Sequence, residues 1–134
     1  MVTALDSSVL LDVLLGDQRH ILKSKAALRQ AHREGSLIIS ETALAEICPV
    51  LSEDEISEAL ADWNLVFVPS SKESAFLAGR MYSAYLKRGG RRERVVPDFL
   101  IGAHAQVHAF RLLARDRGFY RDYFKEMKLW DPSI

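Results

Sequence analysis

The stretch VTALDSSVLLDVLLG, residues 2–16, decides the reading of the fold. Residues 2–5 are a short apolar run of β character. The run breaks at Asp6, passes through Ser7 and Ser8, and resumes as a second apolar pattern. Val9, Leu10, Val13 and Leu14 recur at helical spacing, and Gly16 stops them. A strand that hands over to a helix through an acid and two hydroxyls is the repeating unit of an α/β protein.

The alternation continues outward. Residues 21–34 read as a longer, basic helix and residues 37–39 as a buried strand. Ser40 can cap a helix through Leu44 and Ile47, which Pro49 ends. Ser52 and Glu55 form a capping box for a helix with Ile56, Leu60 and Trp63 on one face. Residues 65–68 are a strand. Ser70 and Glu73 predict a second capping box, and the helix behind it carries Ala75, Phe76, Gly79, Tyr82 and Leu86 at helical spacing. Pro97 opens a helix over 98–110. A strand at 112–114, a helical turn from Arg117 and a last strand at 128–130 complete the chain. Strands separated by helices imply a parallel sheet covered on both faces.

The 134 residues fit one domain, 1–134, which buries roughly 65–70% of its unfolded surface. A composition 49% hydrophobic and 27% charged is that of a globular chain. The single cysteine, Cys48, excludes an internal disulfide and the usual Cys-based zinc site, and its apolar neighbour Ile47 suggests a small buried hydrophobe. No apolar run approaches the roughly 18 residues of a membrane span. The amino terminus has no basic residue ahead of its apolar stretch, which makes it a poor signal peptide. A soluble, cytoplasmic protein is the expectation.

Lys plus Arg equals Asp plus Glu at 18 each, and that balance argues at first against a nucleic-acid partner. The charges are segregated, however. Residues 19–33 hold only bases, 41–62 only acids, and 87–94, KRGGRRER, is densely basic. Zero net charge therefore conceals strong local fields.

Asp6 and Asp116 each follow a strand, and ligands of parallel α/β sheets bind outside the carboxyl ends of the strands. Asp98 stands at a helix start and Glu46 inside an apolar helix. Each acid alone has a plainer role, as a cap or a helix-dipole partner. Converging without basic partners, the four would repel one another, and hard divalent cations such as Mg²⁺ relieve that repulsion with oxygen ligands. The chemistry implied is a metal-dependent phosphoester site.

At these residues the chain resembles the PIN-domain ribonucleases, and among them the VapC-type toxins of toxin–antitoxin pairs. ALDSSVLLDVLL is similar to the family's first strand and first acid, Asp6, with Ser8 as the small polar residue. ISETALAEI resembles the second motif with Glu46, PDFLIGAHA the third with Asp98, and LARDRGFYRDYF the fourth with Asp116. Two departures stand beside the fourth acid. Ala114 occupies a place where the family often has Thr or Ser, and Gly118 one where many members have a further Asp or Asn. Asp122, one turn on, reads as a surface residue.

The resemblance implies a PIN-like three-layer α/β/α sandwich around a mainly parallel sheet. It implies an endoribonuclease in which Asp6, Glu46, Asp98 and Asp116 hold one or two Mg²⁺ or Mn²⁺ ions, and hydrolysis leaving 5′-phosphate and 3′-hydroxyl ends. It further implies a homodimer and a small cognate antitoxin. Arg91, Arg92 and Arg94, with Lys87 and Arg88, form a basic patch that leads to Asp98 and could clamp RNA phosphates. Arg115 and Arg117 flank Asp116 and could balance its charge, bind RNA phosphate or point to solvent. His104 and His108, at i and i+4, read as a partly exposed helix face. Tyr82, Tyr85, Phe119, Tyr120, Tyr123 and Phe124 read as core or as an oligomer contact rather than as base-stacking platforms.

Three other readings compete. A response-regulator receiver domain needs an acid after its third strand, and Val66–Phe67–Val68–Pro69 supplies none. A non-catalytic interaction module on the same fold would suit an incomplete acid set. A PIN nuclease of RNA maturation differs from a toxin only in lacking an adjacent antitoxin gene.

Overall fold

A computed structural model describes residues 1–91 and 96–134. Five strands form one sheet: β1 (Val2–Leu5), β2 (Ser36–Ile39), β3 (Leu65–Phe67), β4 (Arg111–Leu113) and β5 (Lys128–Trp130). Their order is β3-β2-β1-β4-β5, and every pairing is parallel. Around it lie α1 (Ser7–Leu15), α2 (Ile21–Glu34), α3 (Glu41–Ile47), α4 (Glu53–Asp62), α5 (Lys72–Lys87), α6 (Val96–His108) and α7 (Phe119–Tyr123). The result is a three-layer α/β/α sandwich.

The central strands are apolar without alternation because helices cover both faces. Leu5, Leu37, Ile39, Leu112 and Leu113 are all buried. The chain starts on β1, grows to one side through β2 and β3, then returns to the other side as β4 and β5. The reversal lies between β1 and β4, which sets Asp6 and Asp116 above the switch point of the sheet.

Local chemistry fixes the helix ends. Gly16 closes α1 in the left-handed region, at φ 71°, where a side chain would be strained. The Ser40 hydroxyl accepts from Ala43 N–H, and Ser52 with Glu55 makes the expected capping box. The second box falls one residue later than expected. Ser71 caps α5 with Ser74 as its reciprocal partner, while the Ser70 N–H donates to Glu41 Oε2 at 2.7 Å.

The face that packs inward also departs from the apolar spacing of the sequence. Ser74, Leu77 and Ala78 are buried, whereas Ala75, Phe76 and Gly79 from the expected inner face are exposed. Two further expectations are overturned. Cys48 is exposed rather than buried, because it stands at the end of α3 where the chain turns outward. His104 is buried rather than half-exposed, and its Nε2–H donates to the Val68 carbonyl at 2.7 Å. Burial holds the His104 imidazole below its ordinary pKa.

Phe99, on α6, centres an aromatic cluster. The rings of Tyr82, Tyr85, Phe119, Tyr123 and Phe124 lie 5.3–6.1 Å from it. Gly102 admits this packing, since a Cβ there would stand 2.6 Å from the Phe124 ring. Asp98 immediately precedes Phe99, so the cluster fixes the start of α6 from below.

Candidate active site

Asp6, Glu46, Asp98 and Asp116 line one cavity of about 270 Å³, together with Ser7, Ser8, Arg115, Arg117, Phe119 and Tyr120. The four acids come from four places: the end of β1, the last turn of α3, the first turn of α6 and the segment after β4. Arg91 is exposed and does not line the cavity. Its backbone N–H donates to the Tyr85 hydroxyl at 3.1 Å. Arg92 and Arg94 lie outside the described residues.

Each carboxylate is held. Asp6 caps α1, and its Oδ2 accepts from the Ser8 hydroxyl at 2.5 Å and the Ser8 N–H at 3.3 Å. Its other oxygen accepts from the buried Tyr120 hydroxyl at 3.0 Å. Burial, then the neighbouring Asp6 charge, pushes the Tyr120 pKa well above its ordinary value, so the phenol remains a donor. Glu46 accepts from the Ser7 hydroxyl at 2.9 Å. Asp116 takes backbone N–H bonds from Gly118, Tyr120 and Arg121, which ties the turn into α7 to its carboxylate.

The electrostatics are those of crowded acids. Burial raises the Asp98 pKa to about 6; Arg117, with a nitrogen 3.6 Å away, opposes the rise, and Asp6, Glu46 and Asp116 add to it. Glu46 is raised as well, by burial first and by Asp6 after it, with Ser7 opposing. Among the described residues lining the cavity, Arg115 is paired with Asp12 and Arg117 lies beside Asp98, so the four acids outnumber the cations that face them.

The donor set, carboxylate and hydroxyl oxygens, fits a hard divalent cation in chemistry and charge. Among the described residues no three acids, imidazoles or thiols are closed around a point. Mg²⁺ binds with few protein ligands and keeps water and substrate oxygens in its shell, so an open arrangement suits it.

The sequence assigns no supporting role to several residues of this site. Ser7 orients Glu46, and Tyr120, read there as core, orients Asp6. Asp131 Oδ2 accepts from the Asp116 N–H at 3.0 Å and so steadies the fourth acid. Asp12 is buried in α1 and binds Arg115 through two oxygens, at 2.8 and 2.9 Å. It did leave a signal, an acid inside LLDVLL that needs a partner if buried. Arg115 lines the cavity with its guanidinium engaged by Asp12, whereas Arg117 is exposed at the rim. Asp122 is outside the cavity, exposed beside Arg121.

The family model for the PIN domain matches residues 3–125, and the chain belongs to that family. PIN domains are generally nucleases. No curated protein matches the chain significantly. Among solved structures it is similar to a chain of VapBC2 from Rickettsia felis bound to a promoter DNA fragment, at 19% identity and TM-score 0.73, covering 98% of this chain and 100% of that one. A chain of VapBC-1 from nontypeable Haemophilus influenzae matches at 16% identity and TM-score 0.72, with full coverage of both. A chain of a toxin–antitoxin complex from Klebsiella pneumoniae matches at 20% identity and TM-score 0.68, covering 97% of each. At these identities the likeness is one of fold. Among the described residues no helix is long and apolar enough to cross a membrane.

Proposed function

We propose that this PIN-domain chain, as a single domain over 1–134, is a metal-dependent endoribonuclease and the toxin of a VapBC-type pair. One observation carries the reading: four carboxylates from four separated segments face one cavity at the switch point of the sheet, with too little positive charge among the described residues to balance them.

Asp6, Glu46, Asp98 and Asp116 would hold Mg²⁺ or Mn²⁺. Bound there, the ion supplies acidity to the attacking water and offsets charge on the leaving oxygen of an RNA phosphodiester. The chain's own groups do the rest. Ser8 and Tyr120 fix both oxygens of Asp6, and Ser7 turns Glu46 toward the cavity. Arg117, exposed at the rim, would receive a phosphate, and the basic segment at 87–94, including Arg91, Arg92 and Arg94, would extend that field along the RNA.

The antitoxin is proposed from the neighbours, whose chains are drawn from VapBC and toxin–antitoxin complexes. A homodimer belongs to the same reading, supported by the exposed Phe76 beside Ala75 and Gly79 on α5. The test is expression with and without the adjacent small gene, with mapping of RNA 5′ ends. Growth arrest and new RNA ends, both abolished by Asp6→Ala and by the adjacent gene product, are expected. Cleavage without arrest would make the chain an RNA-maturation nuclease, and neither would return it to a non-catalytic module.

A further inference from the structure

We infer that Asp12 is a positioning residue of the acidic cavity, and that its work is to keep the Arg115 guanidinium off the carboxylates so that a divalent cation can reach them. The inference rests on the proposed metal-dependent reading and adds to it a residue outside the four acids.

Asp12 is almost wholly buried, at 2% exposure, on the helix that begins at the site. A lone carboxylate there would be costly, and it is paired on both oxygens. Arg115 Nε and a terminal nitrogen donate to it at 2.8 and 2.9 Å, a fork geometry that fixes the direction of the guanidinium. Behind it the Ser24 hydroxyl, from α2, donates to Oδ2 at 2.7 Å. The guanidinium is therefore held against α1 by a carboxylate that α2 in turn supports.

Arg115 needs holding because of its position. It is the residue next to Asp116, and it lines the same cavity as Asp98. Its backbone N–H donates to the Ser8 hydroxyl at 3.2 Å, and that hydroxyl donates in turn to Asp6. A released Arg115 side chain is long, permanently charged and in the same cavity as four partly unbalanced acids, the nearest in sequence being Asp116. It would pair with them as Arg117 already does with Asp98 at 3.6 Å. Such a tethered cation competes with a divalent ion for the same oxygens. Asp12 thus decides whether the site's second arginine acts as scaffold or as competitor.

The test is a three-variant cycle on the full chain, read by Mg²⁺-induced shift of the melting temperature and by RNA cleavage against Mg²⁺ concentration. Asp12→Asn keeps shape and the Ser24 contact but weakens the hold on Arg115. It should raise the Mg²⁺ midpoint about tenfold, the lower range for residues that orient metal ligands, while leaving kcat at saturating Mg²⁺ within a few-fold. Adding Arg115→Gln to that variant should return the Mg²⁺ midpoint to the wild-type value. Ser24→Ala should shift it in the same direction by less, and it serves if Asp12→Asn fails to fold. An unchanged midpoint in the folded variants overturns the inference. So does a raised midpoint that Arg115→Gln leaves raised, which would mean a structural role alone. Mg²⁺ binding without RNA cleavage in the wild type would remove the ribonuclease reading and leave this cycle valid. A wild type indifferent to Mg²⁺ would remove both.

Discussion

Two acidic regions of this molecule use the same side chains to opposite effect. α4 carries Glu53, Asp54, Glu55, Glu58 and Asp62 within ten residues, the densest acid run in the chain. Its acids are exposed apart from their first-turn roles, and Glu55 is held below its ordinary pKa by hydrogen bonds within the capping box, first from the Ser52 N–H. The cavity gathers only four acids, far apart in sequence, yet Glu46 and Asp98 are pushed up. Local density in water costs little, because solvent and salt screen it. Burial and convergence cost more, and the cost marks the place where a cation is wanted.

Asp98→Asn should break the contrast most strongly. RNA cleavage should fall on the order of 10³-fold, as for loss of a preorganised charge at a reaction centre. The same variant should be more stable at pH 7.5. The sign follows from the direction of the shift: a folded pKa of about 6 lies above the ordinary 3.8, so the ionised carboxylate is penalised only in the fold. The penalty is absent below about pH 4, grows between pH 4 and 6, and is complete above. Its ceiling is about 3 kcal/mol. Thermal melts of both proteins at pH 4 and 7.5 read it, and an equal stability difference at both pH values would refute the account of Asp98.

Mg²⁺ should sharpen the contrast next. Added at about a hundred times its dissociation constant, it should stabilise the wild type by about 2.7 kcal/mol. The gain should shrink in Asp98→Asn and persist in α4 variants. A gain undiminished in Asp98→Asn would move the cation site elsewhere. Ser52→Ala should cost about 1 kcal/mol through the lost cap of α4 and leave cleavage unchanged. Denaturant melts and a cleavage assay separate the two readouts.

The same contrast explains what was legible in the sequence. Capping chemistry is local, so Gly16, Ser40 and Ser52 marked helix ends correctly, and uniform apolar strands marked a parallel sheet. At α5 three polar residues in a row, Ser70, Ser71 and Lys72, offered two equivalent starts. The choice turned on Glu41, 29 residues away, which takes the Ser70 N–H. The four acids were legible as a family-like series of motifs, and the sheet order explains why two of them meet. Their supports were not: Tyr120 reaches Asp6 across 114 residues and Arg115 reaches Asp12 across 103. Pairs at such separation have no periodicity to betray them. His104 was misread because an imidazole can be buried by one backbone carbonyl, Val68, that no pattern announces.

Glu58→Gln carries the smallest expected effect. Glu58 is exposed on α4. Removing its charge should change stability by no more than about 0.5 kcal/mol, the usual range for surface positions. Cleavage rate and the Mg²⁺ midpoint should stay within twofold at ordinary ionic strength, because Glu58 does not line the cavity and salt screens a solvated charge. The measurement matters because Asp98→Asn removes the same unit of charge. If the two substitutions had comparable consequences for Mg²⁺ binding, total negative charge would govern the site. A silent Glu58→Gln beside an inactive Asp98→Asn would show that placement governs it, and that the balance of 18 bases and 18 acids hides the quantity that matters.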